Sequence, residues 1–368
     1  MTSGGTRGFA SRKVRCGVIG AGWWGTYAHI PALLDHPDAE LAAIQTRGQP
    51  EALKVAHDFG IPQAYSSWEE LLAKETLEAV VICSTPNLHY EQARAALQRG
   101  LHVLVEKPMT FTAAQARELV SLADQEERQL LISAPWHYTR YGQQARQIVA
   151  AGQLGEVRLV SVLMTNPVAH LIRGAGAEPT HAAEEPYMKP LPGTYSDPKI
   201  AGGGQIYTQV SHVAAYLTFL TGANPSQVFA RFHNDGAGMD IYDALTIQLE
   251  NGCLVSVAST GATSVDQRDF EVRVYGTKGM LFLELWQGSM KFVPLDGSSA
   301  TDFPALSPDE IYPERAPAAN LIDCVHNPEA NLSPGTLGLA AMEVIEAACL
   351  SARTGENITV RPLQGTSR

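Results

Sequence analysis

A run of glycines near the N-terminus has the spacing of a dinucleotide-binding loop. The run is Gly20-Ala21-Gly22-Trp23-Trp24-Gly25, and it directly follows an apolar stretch that ends at Ile19. In such a loop the first glycine permits a tight turn, the second lets a pyrophosphate approach the backbone, and the third lets the next helix pack on the strand. The N–H groups that open that helix bind the phosphate charge. The spacing predicts that residues 20–25 hold a dinucleotide cofactor.

The end of the second predicted strand bears on which cofactor is bound. An acidic residue about 20 positions after the glycines commonly binds the ribose hydroxyls of NAD. Here the strand ends in Gln45-Thr46-Arg47, without an acid. A 2′-phosphate can accept a hydrogen bond from Thr46 and a charge-assisted bond from Arg47, so NADP is favoured over NAD. In the alternative interpretation Arg47 only stacks on adenine, which either cofactor allows.

Strand and helix patterns alternate through the first 133 residues and position this loop. β-rich runs are predicted at 14–19, 41–45, 79–83 and 101–105, and helices after the glycine loop and at 50–59, 90–98 and 112–126. Strands that alternate with helices indicate a doubly wound parallel sheet of the Rossmann type. We assign residues 12–133 to this NAD(P)-binding domain of an α/β fold.

The pattern changes after Ser133. A helix is predicted at 142–151, a strand at 157–164, a helix at 206–220, and β-rich runs at 228–232, 244–249, 254–259, 270–275 and 280–285. Asn251-Gly252 and Lys278-Gly279 are hairpin signals. The spacing predicts a C-terminal α+β domain, residues 134–368, with a largely antiparallel sheet, an irregular proline-rich insertion at 166–200 and an apolar helix at about 335–353.

Composition narrows the class of protein. The chain has 368 residues, of which 45% are hydrophobic and 18% charged, and its net charge of −11 provides no positive field for nucleic acid or an anionic membrane surface. No segment has 18 uninterrupted apolar residues, and residues 1–13 look like a frayed tail. The five cysteines form no Cys-x-x-Cys pair, which favours a reducing cytoplasm.

Several motifs, in order along the chain, carry a resemblance to a known family. They are the glycine loop, Ser84-Thr85-Pro86-Asn87-Leu88-His89, Glu106-Lys107-Pro108, Gly202-Gly203-Gly204 leading to His212, and Tyr275-Gly276-Thr277-Lys278-Gly279. With them the sequence resembles the Gfo/Idh/MocA oxidoreductases over nearly its whole length. The resemblance implies an NAD(P)-dependent enzyme acting on a sugar, polyol or sugar derivative, and a homodimer or homotetramer. It also implies cofactor contacts from Ser84, Thr85, Pro86, Asn87, His89, Glu106 and Lys107.

The resemblance further implies that Lys107 and His212 are catalytic and touch the substrate. Oxidation of a secondary alcohol requires a base and a cation near the developing alkoxide, and an imidazole exchanges protons near neutral pH. Thr208 stands where the family commonly has aspartate. A threonine can hydrogen-bond a sugar, but it cannot orient or charge the imidazole, so Asp197 and Tyr207 are candidates to compensate.

Further substrate contacts are expected from the start of the second domain and from the insertion. In Pro135-Trp136-His137-Tyr138, His137 and Tyr138 contact substrate in one interpretation and form an aromatic interdomain plug in the other. The insertion is expected to lie over the substrate cleft or to reach a neighbouring subunit, with Tyr195 and Arg173 as sugar contacts.

Two alternative functions stay open, and no metal is expected. His170 and His181 lack the spacing of metal ligands. Some relatives keep NAD bound and hydrolyse glycosides by oxidation, elimination, water addition and re-reduction, and Thr208 is compatible with such altered chemistry. A ligand-sensing protein without turnover is the third possibility, against which the intact Lys107 and His212 argue.

Overall fold

The computed structural model describes residues 12–175, 186–191 and 193–360. Most of the predicted tail and His181 lie outside these residues, as does part of the insertion. The expectations that concern them therefore stay expectations.

The first sheet is parallel throughout and has the strand order β3-β2-β1-β4-β5-β6. Its strands are β1 (Val14–Ile19), β2 (Ala39–Gln45), β3 (Gln63–Tyr65), β4 (Ala79–Ile82), β5 (His102–Val105) and β6 (Leu130–Ile132). The helices are α1 (Ile30–Asp35), α2 (Gln49–Phe59), α3 (Trp68–Lys74), α4 (Pro86–Leu97) and α5 (Ala113–Gln125). The strand order reverses between β1 and β4, where a doubly wound sheet binds its ligand. The predicted Rossmann sheet is confirmed.

Three elements of this sheet were not predicted, and one helix begins earlier than expected. Strands β3 and β6 have three residues each, too few for a visible alternation of apolar and polar side chains. The third element is helix α3, which directly follows β3. Helix α4 begins at Pro86 rather than at Tyr90, because Pro86 occupies the first helical position, where its fixed φ suits the helix, and extended Thr85 precedes it. The Ser-Thr-Pro motif is therefore the start of a helix rather than a loop before one.

The second sheet has nine strands in the order β14-β13-β12-β11-β7-β10-β9-β8-β15. The strands are β7 (Val157–Thr165), β8 (Pro225–His233), β9 (Tyr242–Leu249), β10 (Leu254–Thr260), β11 (Phe270–Gly276), β12 (Gly279–Glu284), β13 (Ser289–Pro294), β14 (Thr301–Phe303) and β15 (Ile358–Thr359). Only β7 and β10 pair in parallel, and both predicted hairpins join antiparallel strands. The largely antiparallel sheet is confirmed.

One face of this sheet is covered by helices. Helices in this half are α6 (Arg140–Ala150), α7 (Ala169–Ile172), α8 (Pro198–Ala201), α9 (Ser211–Thr221), α10 (Pro308–Ile311), α11 (Ala316–His326) and α12 (Gly335–Thr354). The apolar stripe of α12 is buried as predicted, and Gly355 ends the helix in the left-handed conformation. Helix α12 is long and apolar enough to cross a membrane, but 72% of its apolar window is buried inside the fold.

The C-terminal part of the chain packs back on the first sheet. Leu321 and Ile322 of α11 lie in the same buried cluster as residues of β1, α1 and α2. Arg117 of α5 donates to Glu343 of α12 at 2.6 Å, and the N–H of Ala113 donates to Glu346 at 2.9 Å. These contacts hold the two sheets in a fixed relation, with a cavity between them.

Candidate active site

The glycine loop follows β1 and lines the cavity between the sheets. Gly20 has φ +85°, and a Cβ there would collide with the backbone of Ser84, so no other residue fits the turn. A Cβ on Gly25 would lie 2.9 Å from the Cys83 sulfur, because the helical turn packs there on the strand. Beside Gly22, in contrast, the nearest atom to such a Cβ is 3.8 Å away, and Gly22 lines the cavity. The loop therefore fits the pyrophosphate of NAD(P) at Gly22.

The other loop residues are divided between the cavity and the core. Trp23 and Trp24 line the cavity, whereas Ala21 is fully buried. After Trp24 the chain forms a π-helical turn, Gly25–His29, before α1 begins. Such turns are frequent at functional sites.

The end of β2 holds a carboxylate that the sequence pattern did not reveal. Thr46 and Arg47 line the cavity as expected, but so does Glu51 from the first turn of α2. The Thr46 hydroxyl donates to Glu51 Oε2 at 3.1 Å. Because the Thr46 hydroxyl already donates its proton to Glu51, exposed Arg47 is the remaining candidate to bind a 2′-phosphate. The premise that no acid stands here is wrong, because α2 brings one back to the strand end.

The Ser-Thr-Pro motif is tied to the Glu-Lys-Pro motif by a buried histidine. His89 Nδ1 lies 2.8 Å from the carbonyl oxygen of Pro108, and its Nε2 lies 3.0 Å from that of Ser84. Ser84, Thr85, Pro86 and His89 all line the cavity, but Asn87 is exposed and does not. His89 therefore positions both motifs, rather than offering a free ring nitrogen to the cofactor.

Glu106 and Lys107 lie at the carboxyl end of β5. Glu106 Oε1 lies 2.9 Å from His29 Nε2, and Glu106 Oε2 accepts the Lys107 N–H at 3.1 Å. Burial opposes the ionisation of Glu106, but the hydrogen bond and attraction of His29 and the charge of Lys107 outweigh it and lower its pKa. Lys107 Nζ donates to the Thr208 carbonyl oxygen at 3.0 Å, and burial lowers the pKa of Lys107. Lys107 thus bridges the two domains.

His212 lies in the first turn of α9, directly after a second π-helical turn, Ile206–Val210. The single helix predicted over 206–220 is therefore divided at the site. Burial lowers the pKa of His212 well below its ordinary value, and Lys107 and His137 lower it further, so the imidazole is neutral. Its Nδ1 and the Thr208 hydroxyl are both buried without a hydrogen-bond partner, so Thr208 does not orient His212. The indole of Trp136 packs edge-on against the imidazole at 5.0 Å instead.

Neither candidate to replace the missing aspartate acts on His212. Asp197 accepts from the Lys199 N–H at 2.9 Å and caps α8, and it does not line the cavity. Tyr207 points to the other side and donates to the carbonyl oxygen of Phe111 at 3.1 Å. Both expectations are wrong.

Two of the four other expected substrate contacts have buried roles away from the cavity. His137 stacks on Phe219 at 4.4 Å, and its Nδ1 lies 2.9 Å from the Ser333 hydroxyl. Tyr138 follows it, and neither residue lines the cavity, which agrees with the aromatic plug. Arg173 also lies outside, where it pairs with Asp235 on the surface. Tyr195 alone of the four lines the cavity.

Part of the insertion covers the cavity. We call residues 187–191 and 193–195 the strap; Met188, Leu191 and Tyr195 are among its cavity-lining residues. The Tyr187 hydroxyl donates to Asp58 at 2.6 Å and accepts from Lys54 at 2.8 Å, both on α2. The strap thus runs from the second domain onto the first, as predicted for a segment over the cleft.

Several cavity residues were missed by the sequence analysis. They are mainly uncharged polar and aromatic side chains, namely Gln45, Trp68, Trp136, Asn166, Gln209, Trp286 and Tyr312. Trp136 directly precedes His137, and the sequence analysis selected His137 and Tyr138 from that motif but not Trp136. Gln45 anchors the loop, because its Oε1 accepts from the Gly20 N–H at 3.2 Å. Trp286 and Tyr312 lie far along the chain and carry no local signal. Among the described residues no group of three or more His, Cys, Asp or Glu side chains is placed to hold a metal ion.

Comparisons with known proteins agree with this architecture. Residues 14–133 match the oxidoreductase family with an NAD-binding Rossmann fold, and residues 143–282 match the GFO/IDH/MocA C-terminal domain. The chain is 30% identical to D-xylose 1-dehydrogenase (NADP(+)) 2 of Haloferax volcanii, over 72% of this chain and 74% of that protein. It is 27% identical to 1,5-anhydro-D-fructose reductase of Ensifer adhaerens, over 84% and 89%.

A solved structure shows the same fold over nearly the whole chain. An oxidoreductase domain protein from Kribbella flavida has a TM-score of 0.80 at 19% identity, covering 95% of this chain and 100% of that one. The two matched family models fall on the two sheets, one on each. The chain belongs to the Gfo/Idh/MocA family and is an NAD(P)-dependent oxidoreductase.

Proposed function

We propose that the enzyme transfers a hydride between NAD(P) and a secondary hydroxyl of a sugar, polyol or sugar derivative. The observation that carries the proposal is that Lys107 and His212, from different domains, line one cavity with the glycine loop. When bound at that loop, the nicotinamide supplies the hydride acceptor or donor. The activities named for the Haloferax and Ensifer relatives support a carbohydrate substrate.

The residues of the site stabilise the developing charge and accept the proton. The ammonium of Lys107 stabilises negative charge on the substrate oxygen, and neutral His212 takes the hydroxyl proton. Among the described cavity-lining residues, buried polar atoms without hydrogen-bond partners include Trp136 Nε1, Asn166 Oδ1, Thr208 Oγ1 and His212 Nδ1. Because an unpaired buried polar group is costly, a ligand with several hydroxyls gains by pairing with them.

A turnover assay tests the proposal. The protein is mixed with NAD or NADP and a panel of aldoses, polyols and glycosides, and both NAD(P)H and free sugar are followed. Formation of NAD(P)H supports the proposal. Release of free sugar from a glycoside without net NAD(P)H instead supports redox-neutral hydrolysis, the second candidate, which the strap over the cleft favours because a segment placed there hinders cofactor release. Binding of a sugar without formation of NAD(P)H and without release of free sugar would indicate a ligand sensor.

We predict that NADP binds more tightly than NAD and that Arg47 carries the difference. Arg47→Ala removes a charge-assisted bond to the 2′-phosphate and is expected to weaken NADP binding by about 1–3 kcal/mol, with little effect on NAD. Glu51→Gln removes the facing carboxylate charge and is expected to tighten NADP binding. Calorimetric titration of both cofactors measures these changes.

The control is Arg99→Ala, which removes an arginine just after the end of α4 that does not line the cavity and whose guanidinium donates to the Ala95 carbonyl oxygen. It is expected to leave both affinities unchanged. Equal losses for NAD and NADP in Arg47→Ala would assign Arg47 to adenine stacking instead.

We predict that the strap slows cofactor release. Tyr187→Phe removes the hydroxyl that bonds Asp58 and Lys54, so the strap opens more often and the cofactor dissociation rate rises, by about threefold to tenfold. Stopped-flow displacement of NAD(P)H measures the rate. Tyr90→Phe is the matched control, since it removes a hydroxyl that donates to Glu118 at 2.6 Å outside the cavity. The same rate in both variants would show that Tyr187 does not restrain the cofactor.

Three further expectations remain proposals. We infer a homodimer or homotetramer, supported by exposed apolar side chains on the open face of the second sheet, including Leu159, Tyr242 and Leu254. A monomer mass in sedimentation would contradict it. The cytoplasmic location and the domain division at 133/134 rest on the sequence; fluorescence of a tagged chain and limited proteolysis test them.

A further inference from the structure

Three aromatic rings stand together beside His212 and form one side of the cavity. We call Trp136, Trp286 and Tyr312 the aromatic wall. Trp136 lies edge-on to the other two, at 5.1 Å from Trp286 and 4.8 Å from Tyr312, and these two stack on each other at 5.2 Å. The same Trp136 ring is the one that packs against His212. The wall is therefore next to the catalytic histidine.

A fourth ring, Tyr195, and the carboxylate of Glu106 line the same cavity. Burial raises the pKa of Tyr312, and the negative charge of Glu106 is the second cause. Burial likewise raises the pKa of Tyr195, with Glu106 as the second cause. Both phenols therefore lie within electrostatic range of Glu106, the residue before Lys107. The aromatic wall faces the end of the cavity where the reaction is proposed to occur.

The charged side chains of the cavity are few. Among the described cavity residues they are Arg47, Glu51, Glu106, Lys107 and Lys189. Arg47 and Glu51 lie at the end of β2, and Lys189 follows Met188, which packs on the first domain's core. The cation near His212 is Lys107, whose ammonium donates to the Thr208 carbonyl oxygen, and the other polar residues there are the uncharged Asn166, Thr208 and Gln209.

One arginine comes near the wall but does not enter the cavity. The Arg268 guanidinium lies 4.2 Å from the centre of the Trp286 ring, and Arg268 is not a cavity-lining residue. It covers the ring as a cation over an aromatic face. The described wall around His212 thus offers rings and neutral hydrogen-bonding groups, without a guanidinium fork for a carboxylate or phosphate.

We propose that the substrate is a neutral sugar whose apolar ring face lies against the aromatic wall, and that ionised sugars are selected against. The inference rests on the proposed function and adds the substrate class. An apolar C–H face gains by contact with aromatic rings. Because Lys107 is assigned to the reacting oxygen, a uronate or phosphate group buried elsewhere against the wall has no paired cation there, so it loses its hydration and gains too little in return. Trp286 and Tyr312 are therefore assigned as specificity-determining residues.

Sets of sugars that share one ring and carry a neutral or an ionised group at C6 test the inference. Neutral aldohexoses are each compared with the corresponding 6-uronate and 6-phosphate, at saturating cofactor, and kcat/KM is measured. We expect the neutral sugar to be favoured by about 100-fold or more, as for a buried charge left without a partner. Equal or higher kcat/KM for an ionised sugar overturns this inference alone and points to Lys189 or Arg268. Turnover of no sugar overturns the proposed function and the inference with it.

Variants of the wall give a second, independent measurement. Tyr312→Leu and Trp286→Phe are expected to raise KM for the neutral sugar by about threefold to tenfold, while the dissociation constant for the cofactor stays within about twofold. Trp286→Phe keeps an aromatic ring, so it remains informative if the leucine variant fails to fold. Tyr90→Leu removes a tyrosine on α4 outside the cavity and is expected to leave KM unchanged. An unchanged KM in both wall variants overturns the assignment.

Discussion

Replacing Lys107 with alanine is expected to lower kcat on the order of 10²-fold or more while the protein still folds. The ammonium group lies on the cavity wall and donates to the Thr208 carbonyl oxygen, so it is fixed before substrate arrives. A preorganised cation of this kind stabilises the negative charge that develops on the substrate oxygen. Single-turnover formation of NAD(P)H at saturating cofactor measures the loss, and thermal unfolding checks the fold.

Two further variants distinguish charge from shape at this position. Lys107→Met keeps the length of the side chain and is expected to be as inactive as alanine. Lys107→Arg is expected to rescue poorly, because a planar guanidinium does not fit the place of a compact ammonium. Near-normal transfer in Lys107→Ala, together with loss in a His212 variant, would reduce Lys107 to a structural charge and move the proton chemistry entirely to the second domain.

The pH dependence of activity provides a test that is specific for Lys107. Burial lowers its pKa from the ordinary value of 10.5, and the Glu106 carboxylate only partly offsets this. The charged form is the active one, so activity should begin to fall below pH 10.5 as the pH rises. That alkaline limb is expected to be missing from the residual activity of Lys107→Met. The same limb in both proteins would assign it to another group.

Much of the fold could be predicted because its signals are local. The glycine loop, the hairpin at Asn251-Gly252 and the apolar stripe of α12 each lie within a few turns or strands of sequence. Elements without such a signal were missed, such as the three-residue strands β3 and β6 and helix α11, which packs on the first domain from 180 residues or more further along the chain. Their positions depend on tertiary contacts rather than on local periodicity.

The site shows the same division between local and tertiary information. Lys107 and His212 stand in short motifs, and the structure brings both to one cavity. Glu51, Trp286 and Tyr312 reach that cavity only through the tertiary fold, and no local sequence pattern predicts that they line it. The expected partners of His212 were wrong for a related reason. The π-helical turn at Ile206–Val210 interrupts the predicted helix just before His212, and Tyr207 in that turn bonds to Phe111 instead, while Asp197 caps α8.

Replacing His212 with asparagine is expected to lower kcat by about 10²- to 10⁴-fold, the usual contribution of a positioned general base. The imidazole is neutral because burial, then Lys107 and His137, lower its pKa well below 6.5. Wild-type activity should therefore stay level as the pH falls to 6.5 and decline only below it. His102→Asn is the control, since it removes a half-buried imidazole on β5, with a pKa of about 4, that does not line the cavity, and it is expected to leave kcat and its pH profile unchanged. A decline centred at an ordinary histidine pKa would contradict the buried, neutral base.

The same variant should change how stability depends on pH, without any substrate present. In the unfolded chain His212 takes up a proton near pH 6.5, whereas in the folded chain its lowered pKa prevents this. Between these two values the unfolded state binds more protons, so the free energy of unfolding decreases as the pH falls. His137, with a pKa of about 3, and His89 add to this decrease in both proteins. Urea unfolding at pH 7 and pH 5 should thus show a smaller loss of stability in His212→Asn than in wild type. Equal losses would mean that folded His212 accepts a proton at its ordinary pKa, and the imidazole would then be charged, and unable to act as a base, at mildly acidic pH.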